Sequence, residues 1–277
     1  MIDLHLHTTA SDGRRTPVEL VTEAAAAGLA VMAVTDHDTM ASTDDVRQLA
    51  AEHDIDAIAG IEITAVDEGR DVHVLGYFLD HSHGGLVEFL SAQRDVRVKR
   101  VRAIAARLAD LNMLIDLRPA LLEVSLLPGR SIGRPQVARA MVSAGHVSST
   151  REAFDQWLGR DRPAFVPRTG SRPEEVIATI HRAGGLASLA HPGRTSMDAR
   201  IPALRDAGLD AIEVYHSDHD GAMTARYHRM ARALDLLMTG GSDYHGDPQH
   251  GVPLGAATLP DDAWQRLHAA RHRHAAT

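Results

Sequence analysis

Two short motifs near opposite ends of the chain place histidine and carboxylate side chains at alternating positions. His5 and His7 are separated by one residue, and so are Asp243 and His245. Side chains two positions apart on an extended strand point to the same face. Each motif therefore predicts a pair of ligand-type side chains directed at one point, although a single His-x-His motif is weak evidence for a metal ion.

Further residues of metal-ligand type follow short apolar runs along the chain, and they are Asp12, Asp36, His37, Glu62, His73 and His191. The chain contains no cysteine. Disulfides, thiolate ligands and cysteine nucleophiles are therefore excluded, and a metal ion would be held by nitrogen and oxygen atoms.

The apolar runs that precede these residues alternate with helical patterns, which is typical of βα units. We predict strands at residues 2–6, 31–35, 57–64, 72–77, 186–190, 211–215 and 236–239. Helices are predicted at residues 17–27 and 201–207, and another begins near Pro173. Because the carboxyl ends of parallel strands meet at one face of a β/α barrel, we expect the ligand-type side chains to meet there.

The alternation stops between residues 86 and 167, where a long helix at 87–116 and a second helical stretch at 135–145 are predicted. We interpret residues 94–168 as a helical subdomain inserted into a discontinuous barrel of residues 1–93 and 169–277. This insert holds 14 Lys and Arg against 7 Asp and Glu, a net charge of +7, in a chain whose formal net charge is −8. The excess favours an anionic ligand, and a solvated helical face rich in arginine is the alternative.

The motifs, taken in chain order, resemble those of the polymerase and histidinol phosphatase (PHP) phosphoesterases. The resemblance rests on His5-x-His7 with Asp12, Thr35-Asp36-His37-Asp38, Gly60-Ile61-Glu62, His73, Ala190-His191-Pro192 and Ser242-Asp243-Tyr244-His245. It implies an α/β fold, a distorted seven-stranded TIM-like β/α barrel, and a hydrolase that acts on phosphoric ester bonds. It also implies three divalent metal ions, for which manganese, iron and zinc are all compatible with these ligands.

By the same resemblance, nine residues would hold these ions. The first ion would be bound by His5, His7, Glu62 and Asp243, the second by Asp12, His37 and His245, and the third by Glu62, His73 and His191. Three divalent cations and three carboxylates leave a charge of about +3, which a phosphate dianion and a hydroxide neutralise. We therefore expect hydrolysis by in-line attack of a metal-bound hydroxide on phosphorus.

Side chains predicted to take part in the chemical step are His37, Asp243, His245 and His216. His216 follows a predicted strand and would reach the substrate or the leaving group; a merely solvated histidine is the alternative. Two aspartates beside His37, Asp36 and Asp38, would either orient its ring or cap a turn. Thr8 and Ser11 would bind phosphate or shape the loop that leads to Asp12.

The insert carries three segments, at 133–136, 154–159 and 164–168, that resemble one bacterial branch of the family. That branch includes nucleoside 3′,5′-bisphosphate phosphatases and enzymes that trim short RNA from the 5′ end. Gln136 stands where those proteins often have histidine, which puts in doubt any role that needs an imidazole there. Candidate phosphate-binding residues are Arg134, Arg168, Lys99 and Arg160, although each of them taken alone fits an ordinary surface position.

The chain has only four Tyr, four Phe and two Trp, which is too few for an extended base-stacking platform. We therefore predict a small phosphorylated nucleotide or a short oligonucleotide as substrate, and no long nucleic acid. A histidinol-phosphate-type phosphatase and a non-enzymatic metal-binding module remain as alternatives. With no stretch of about 18 apolar residues and no leader-like start, we expect a cytoplasmic protein without a membrane or an obligate protein partner.

Overall fold

The computed structural model describes residues 1–195, 197–247 and 252–274. Seven strands form one sheet, and their spatial order follows their order in the sequence. They are β1 (Ile2–Leu6), β2 (Val31–Val34), β3 (Asp56–Asp67), β4 (Arg70–Tyr77), β5 (Leu186–Leu189), β6 (Ala211–His216) and β7 (Leu237–Gly241). Each predicted strand is confirmed, and β3 and β4 extend further toward each other than predicted.

The direction of β4 differs from the sequence-based prediction. Strand β4 pairs antiparallel with both β3 and β5, whereas the other neighbouring strands are parallel. The first residues of β4 therefore lie at the face where the parallel strands end. His73 pairs with Thr64 at this face, so His73 reaches it from the beginning of its strand. The predicted fold class, a distorted seven-stranded β/α barrel, is confirmed.

The barrel closes where β1 meets the segment that follows β7. His7 N donates a hydrogen bond to Tyr244 O at 2.9 Å, and Tyr244 N donates to His5 O at 3.3 Å. At Gly241 a Cβ atom would lie 2.4 Å from His5 N, so any other residue would push β7 away from β1. This close approach brings the Asp243-x-His245 motif beside the His5-x-His7 motif.

Helices surround the sheet and fill the long connection between β4 and β5. They are α1 (Pro17–Ala26), α2 (Thr43–Ala51), α3 (Gly84–Asp110), α4 (Arg118–Leu126), α5 (Arg134–Ser143), α6 (Thr150–Ala153), α7 (Pro173–Arg182), α8 (Pro192–Thr195), α9 (Ile201–Asp206), α10 (Gly221–Ala233) and α11 (Asp261–Ala269). Helix α3 ends six residues earlier than predicted, because Asn112 adopts a left-handed backbone with φ 60°, a conformation typical just after a helix. Among the described residues, no helix is long and apolar enough to span a membrane.

Helix α3 belongs to two hydrophobic cores. Leu86 and Leu90 in its first turns pack in the core of the barrel. Ile104 and Leu108 pack in a separate cluster whose members all lie between residues 98 and 166. This second cluster is compatible with an inserted helical subdomain, but the continuous helix crosses residue 94, and the limits 94–168 stay a prediction.

Candidate metal centre

One buried carboxylate, that of Glu62 on β3, lies at the centre of the candidate site. It is 1% exposed. Its Oε1 lies 2.6 Å from His73 Nδ1 and 3.1 Å from His191 Nε2. Its Oε2 lies 3.0, 3.3 and 3.4 Å from ring nitrogens of His37, His7 and His5. Two imidazoles from strands, and three from the segments that follow β1, β2 and β5, thus surround a single carboxylate.

Two further carboxylates complete this cluster. Asp12 Oδ1 lies 3.4 Å from His245 Nε2, and Asp12 Oδ2 lies 3.6 Å from His37 Nε2. Asp243 Oδ1 lies 3.2 Å from His7 Nε2. Ligand atoms fall within 4.8 Å of one another in the sets His7–Asp12–His37–His245, His5–His7–Glu62–Asp243 and His37–Glu62–His73. The structure therefore brings together all nine residues that sequence reasoning proposed as metal ligands.

Several polar atoms in the cluster are buried without a hydrogen-bond partner in the described part of the chain. They are His5 Nε2, His7 Nδ1 and Nε2, His37 Nδ1, His191 Nδ1 and Glu62 Oε2. Leaving a buried donor or acceptor unpaired costs about 1–3 kcal/mol, so such atoms concentrated at one point require an explanation. Coordination of divalent cations by these nitrogen and oxygen atoms provides one, and the residues fit that use.

Hydrogen bonds on the outer side of the cluster set the tautomers of two rings. His5 Nδ1 lies 2.9 Å from Glu213 Oε1, and His245 Nδ1 lies 2.8 Å from the Asp243 carbonyl oxygen. Each Nδ1 therefore donates, and the lone pair on Nε2 is directed at the cluster. Sequence reasoning did not select Glu213, although an acidic residue inside the apolar run of β6 was a usable signal.

Without a metal ion, the surroundings of the cluster favour a protonated His7 and a neutral His37. Burial lowers the pKa of His7, but the carboxylates of Asp243 and Glu62, which lie 3.2 and 3.3 Å from its Nε2, raise it to about 10. Burial lowers the pKa of His37 to about 3, because it outweighs the carboxylates nearby. Since a metal ion binds neutral imidazole, uptake of cations would displace the proton from His7.

Two residues of the cluster have unusual backbone conformations. His191, directly after β5, has φ 28°, and Asp243, two residues after β7, has φ 56°. Left-handed backbone at a residue other than glycine typically costs about 1–3 kcal/mol and is found most often at functional sites. The strain is compatible with segments after β5 and β7 whose backbone directs these two side chains into the cluster.

His216 lies at the end of β6 beside Asp243. Its Nδ1 accepts a hydrogen bond from Asp218 N at 3.0 Å, so its hydrogen is carried on Nε2 in the neutral ring. That Nε2 lies 3.6 Å from Asp243 Oδ2. His216 therefore presents a hydrogen-bond donor to the edge of the cluster.

A pocket of about 690 Å³ extends from the cluster to a group of arginines. Arg97 Nε and Arg168 Nη2 share Asp38 Oδ2 at 2.5 and 2.8 Å. On the same wall, the Asp71 carboxylate is likewise shared by two guanidinium groups, at 2.9 and 3.1 Å, which belong to Arg100 and Arg134. Two carboxylates thus pair with four guanidinium groups. The surface formed by Arg97, Arg100, Arg134 and Arg168, the arginine wall, therefore carries a net positive charge.

Comparison with known proteins identifies the family. The PHP domain model matches residues 3–158, which is more than half of the chain. The chain belongs to the PHP family. It is 35% identical to the 5'-3' exoribonuclease of Haemophilus influenzae over 88% of this chain and 89% of that protein. It is 30% identical to the 3',5'-nucleoside bisphosphate phosphatase of Chromobacterium violaceum over 97% and 96%.

A solved structure gives the same result for the PHP fold. A protein of Bifidobacterium adolescentis, described as a candidate metal-dependent phosphoesterase, superposes with a TM-score of 0.88 at 33% identity, over 97% of this chain and 95% of that one. The predictions of a PHP-family protein and of a hydrolase that acts on phosphate esters with divalent metal are confirmed.

The nine-residue histidine–carboxylate cluster is the PHP centre of this chain. The structure corrects the role that sequence reasoning considered for Asp36 beside this centre. Asp36 does not orient the ring of His37. It accepts hydrogen bonds from Thr8 N, Thr8 Oγ1, Ser11 Oγ and Ser42 Oγ at 2.5–2.8 Å. Ser11 Oγ, whose one hydrogen is donated to Asp36, lies 3.1 Å from Asp12 Oδ1, so Asp36 holds the loop that carries Asp12.

Replacing Asp36 with alanine should weaken Mn²⁺ binding by about tenfold or more, because partners behind a metal ligand contribute about 10–100-fold to affinity. Titration of metal-free protein by calorimetry measures this change. Asp44→Ala is the matched control, since the Asp44 side chain is 77% exposed on α2. Equal affinities of the two variants would show that Asp36 does not position Asp12.

Two of the predicted phosphate-binding residues do not lie at the pocket. Lys99 and Arg160 are exposed, and neither is among the described residues that line it. On α3, the three-residue spacing of Arg97 and Arg100 places both on the buried face and turns Lys99 to solvent. That spacing was the signal by which Arg97 and Arg100 could have been found.

Gln136 links the insert to the Asp12 loop of the PHP centre. Its Nε2 donates to Ser11 O at 2.6 Å, and its Oε1 accepts from Gly133 N at 2.9 Å. Both ends of its amide are thus engaged by backbone groups. Gln136 therefore acts in this chain as a structural contact between α5 and the loop.

Proposed function

We propose that this PHP protein removes phosphate from small nucleotides, with nucleoside 3′,5′-bisphosphates as the main substrates and the 5′ ends of short RNA as further ones. The observation that carries the proposal is a single pocket with a histidine–carboxylate cluster at one end and the arginine wall at the other. Such a pocket suits a ligand with two phosphate groups. The named activities of the Chromobacterium and Haemophilus relatives support the same substrate class.

In this proposal, three divalent ions bind the nine residues of the cluster in the sets that the family resemblance implies. Glu62 would be shared between two of the ions, since its two oxygens face different groups of histidines. Manganese, iron and zinc all suit imidazole and carboxylate ligands. Bound cations would supply Lewis-acid stabilisation of the phosphoryl group and lower the pKa of a coordinated water.

The chain's own residues would orient the substrate around these ions. Glu213 fixes the ring of His5 and also accepts from His191 N at 2.7 Å, so one buried carboxylate positions two ligand residues. His216 holds its proton on Nε2, beside Asp243, from where it donates to an oxygen of the reacting phosphate or of the leaving group. His37, Asp243 and His245 would act through their contacts with the ions.

The arginine wall would bind the second phosphate. Arg168 is 5% exposed, and its Nε is buried without a hydrogen-bond partner among the described residues. Arg100 Nη2 is in the same situation. Unpaired guanidinium hydrogens are geometrically matched to phosphate oxygens, so a phosphate dianion would neutralise the excess charge of the wall.

The test is phosphate release from 3′,5′-bisphosphorylated adenosine, AMP, a 5′-phosphorylated RNA trimer and histidinol phosphate by one manganese-loaded preparation. We expect turnover to be fastest with the bisphosphate and to be lost after chelation and restored by Mn²⁺. Preferential hydrolysis of histidinol phosphate would overturn the substrate assignment. Absence of release from every substrate would favour a metal-binding module without catalysis.

Replacing Arg134 with alanine should raise KM for the bisphosphate by about tenfold or more, because a charge-assisted hydrogen bond contributes about 1.5–3 kcal/mol. The KM for AMP should change little, since AMP has no second phosphate. Steady-state phosphate release on both substrates measures the difference. Arg160→Ala is the control, because that side chain is 53% exposed and lies outside the pocket. Equal losses on both substrates would contradict a clamp on the second phosphate.

A further inference from the structure

A second group of metal-ligand side chains lies at the opposite mouth of the barrel. Asp210 directly precedes β6, and its Oδ2 accepts a hydrogen bond from Ala187 N, at the beginning of β5, at 3.0 Å. The strands β5 and β6 are parallel, so this is the end of the barrel at which they begin. The group is therefore separated from the PHP centre by the length of these strands.

Two histidines converge on the carboxylate of Asp210. His181, near the end of α7, places Nε2 2.8 Å from Oδ2, and His274, beyond α11, places Nε2 3.0 Å from Oδ1. The two rings are stacked, with centroids 3.6 Å apart and planes inclined by 18°. The ligand atoms of the three residues lie within 4.8 Å of one another. Asp210 is 4% exposed, so its position is set by the barrel.

We propose that His181, Asp210 and His274 form a binding site for a zinc-type cation, distinct from the PHP centre. Two imidazole nitrogens and one carboxylate are a common ligand set for Zn²⁺, and a solvent molecule supplies the fourth position. Tetrahedral ligands at about 2.0–2.1 Å from zinc lie about 3.3 Å apart. The observed nitrogen–oxygen distances are 2.8 Å from His181 to Oδ2 and 3.0 Å from His274 to Oδ1. Binding of one cation therefore requires the two stacked rings to tilt toward a shared point.

The site is prepared for a cation before any ion binds. Ala187 N donates to Asp210 Oδ2 at 3.0 Å, which fixes the orientation of the carboxylate toward the two imidazoles. Arg273 Nη1 also lies 3.0 Å from Asp210 Oδ1. This arginine is 47% exposed and competes with a metal ion for the same oxygen. Because this long side chain is half-exposed, its guanidinium group can move to solvent.

The ion would fasten the chain after α11 to the barrel. His274 is the only one of the three ligands that lies in that segment, whereas His181 and Asp210 belong to the α7–β6 region of the barrel. A bound cation stabilises the folded state by mass action. Zinc should therefore raise the thermal stability of the chain through this site independently of any effect on turnover.

Because Zn²⁺ displaces Mn²⁺ from nitrogen and oxygen ligands, the experiment saturates the PHP centre of every variant with Zn²⁺, and follows total bound zinc by equilibrium dialysis and the Tm by calorimetry. We expect one additional zinc ion per wild-type chain, and its loss in His181→Ala and His274→Ala. His272→Ala is the matched control, because it is an exposed tail histidine outside the group. Phosphate release should be the same in all of these variants.

Arg273→Ala gives a test of opposite sign. Removing the competing guanidinium should tighten zinc binding by about two- to fivefold, which corresponds to an exposed ion pair of up to about 1 kcal/mol. The proposal is overturned if wild type, His274→Ala and His272→Ala retain the same amount of zinc with the same Tm. It is also overturned if Arg273→Ala weakens binding. Neither outcome affects the proposed phosphatase function, which is measured separately.

Discussion

Replacing Glu62 with glutamine should lower kcat/KM for phosphate release by more than about 100-fold while the chain remains folded. The carboxylate of Glu62 contacts five of the histidines in the cluster. Glutamine keeps the shape but loses the charge and one of the two oxygens. Loss of a partner one shell further from a metal already costs about 10–100-fold, so loss of a shared ligand should cost more.

This expectation is checked by steady-state kinetics together with metal content by elemental analysis. Glu68→Gln is the matched control, because Glu68 is exposed in the turn between β3 and β4. We expect normal turnover and normal metal content in the control. A Glu62→Gln variant that retained its metal ions and near-normal turnover would rule out Glu62 as a shared ligand.

Replacing Asp38 with alanine should destabilise the metal-free chain by about 3–5 kcal/mol, the range found when one partner of a buried ion pair is removed. Asp38 is fully buried, and it pairs with Arg97 and Arg168 and accepts from Thr64 N at 2.9 Å. Its removal leaves two buried guanidinium groups without the carboxylate that they share. Urea denaturation followed by circular dichroism measures the loss.

The exposed residue Asp161 provides the control for this measurement. Its side chain is 92% exposed, and its backbone is left-handed like that of Asp38, with φ 61° against 53°. Asp161→Ala should therefore cost no more than about 1–2 kcal/mol, the cost of placing alanine in that conformation. Adding Arg168→Met to the Asp38→Ala variant should recover part of the stability, because one unpaired charge is then replaced by an apolar side chain. If Asp38→Ala were as mild as Asp161→Ala, Asp38 would not be what compensates the arginine wall.

The sequence by itself determined the strands and the nine candidate ligand residues. The two-residue period of a strand made the His5-x-His7 and Asp243-x-His245 motifs interpretable without a structure, since alternate side chains share a face. The absence of cysteine restricted any metal site to nitrogen and oxygen ligands. The strand period is a local property and the absence of cysteine is a property of composition, so both can be read from the sequence without knowledge of the fold.

Only the tertiary structure decided how distant segments meet. The reversed direction of β4 brings His73 to Glu62 from the beginning of its strand, and no local pattern in the sequence distinguishes that direction. The contacts of Asp36 and Asp38 were likewise decided by which loops and helices pack above β2.

The arginines of α3 also show which properties follow from the sequence and which depend on the tertiary structure. Composition revealed an excess of positive charge in the insert. The face that α3 presents to the barrel selected Arg97 and Arg100 for the pocket and turned Lys99 to solvent. Side-chain charge is a property of the residue, whereas its direction depends on the packing of a helix against elements far away in the chain.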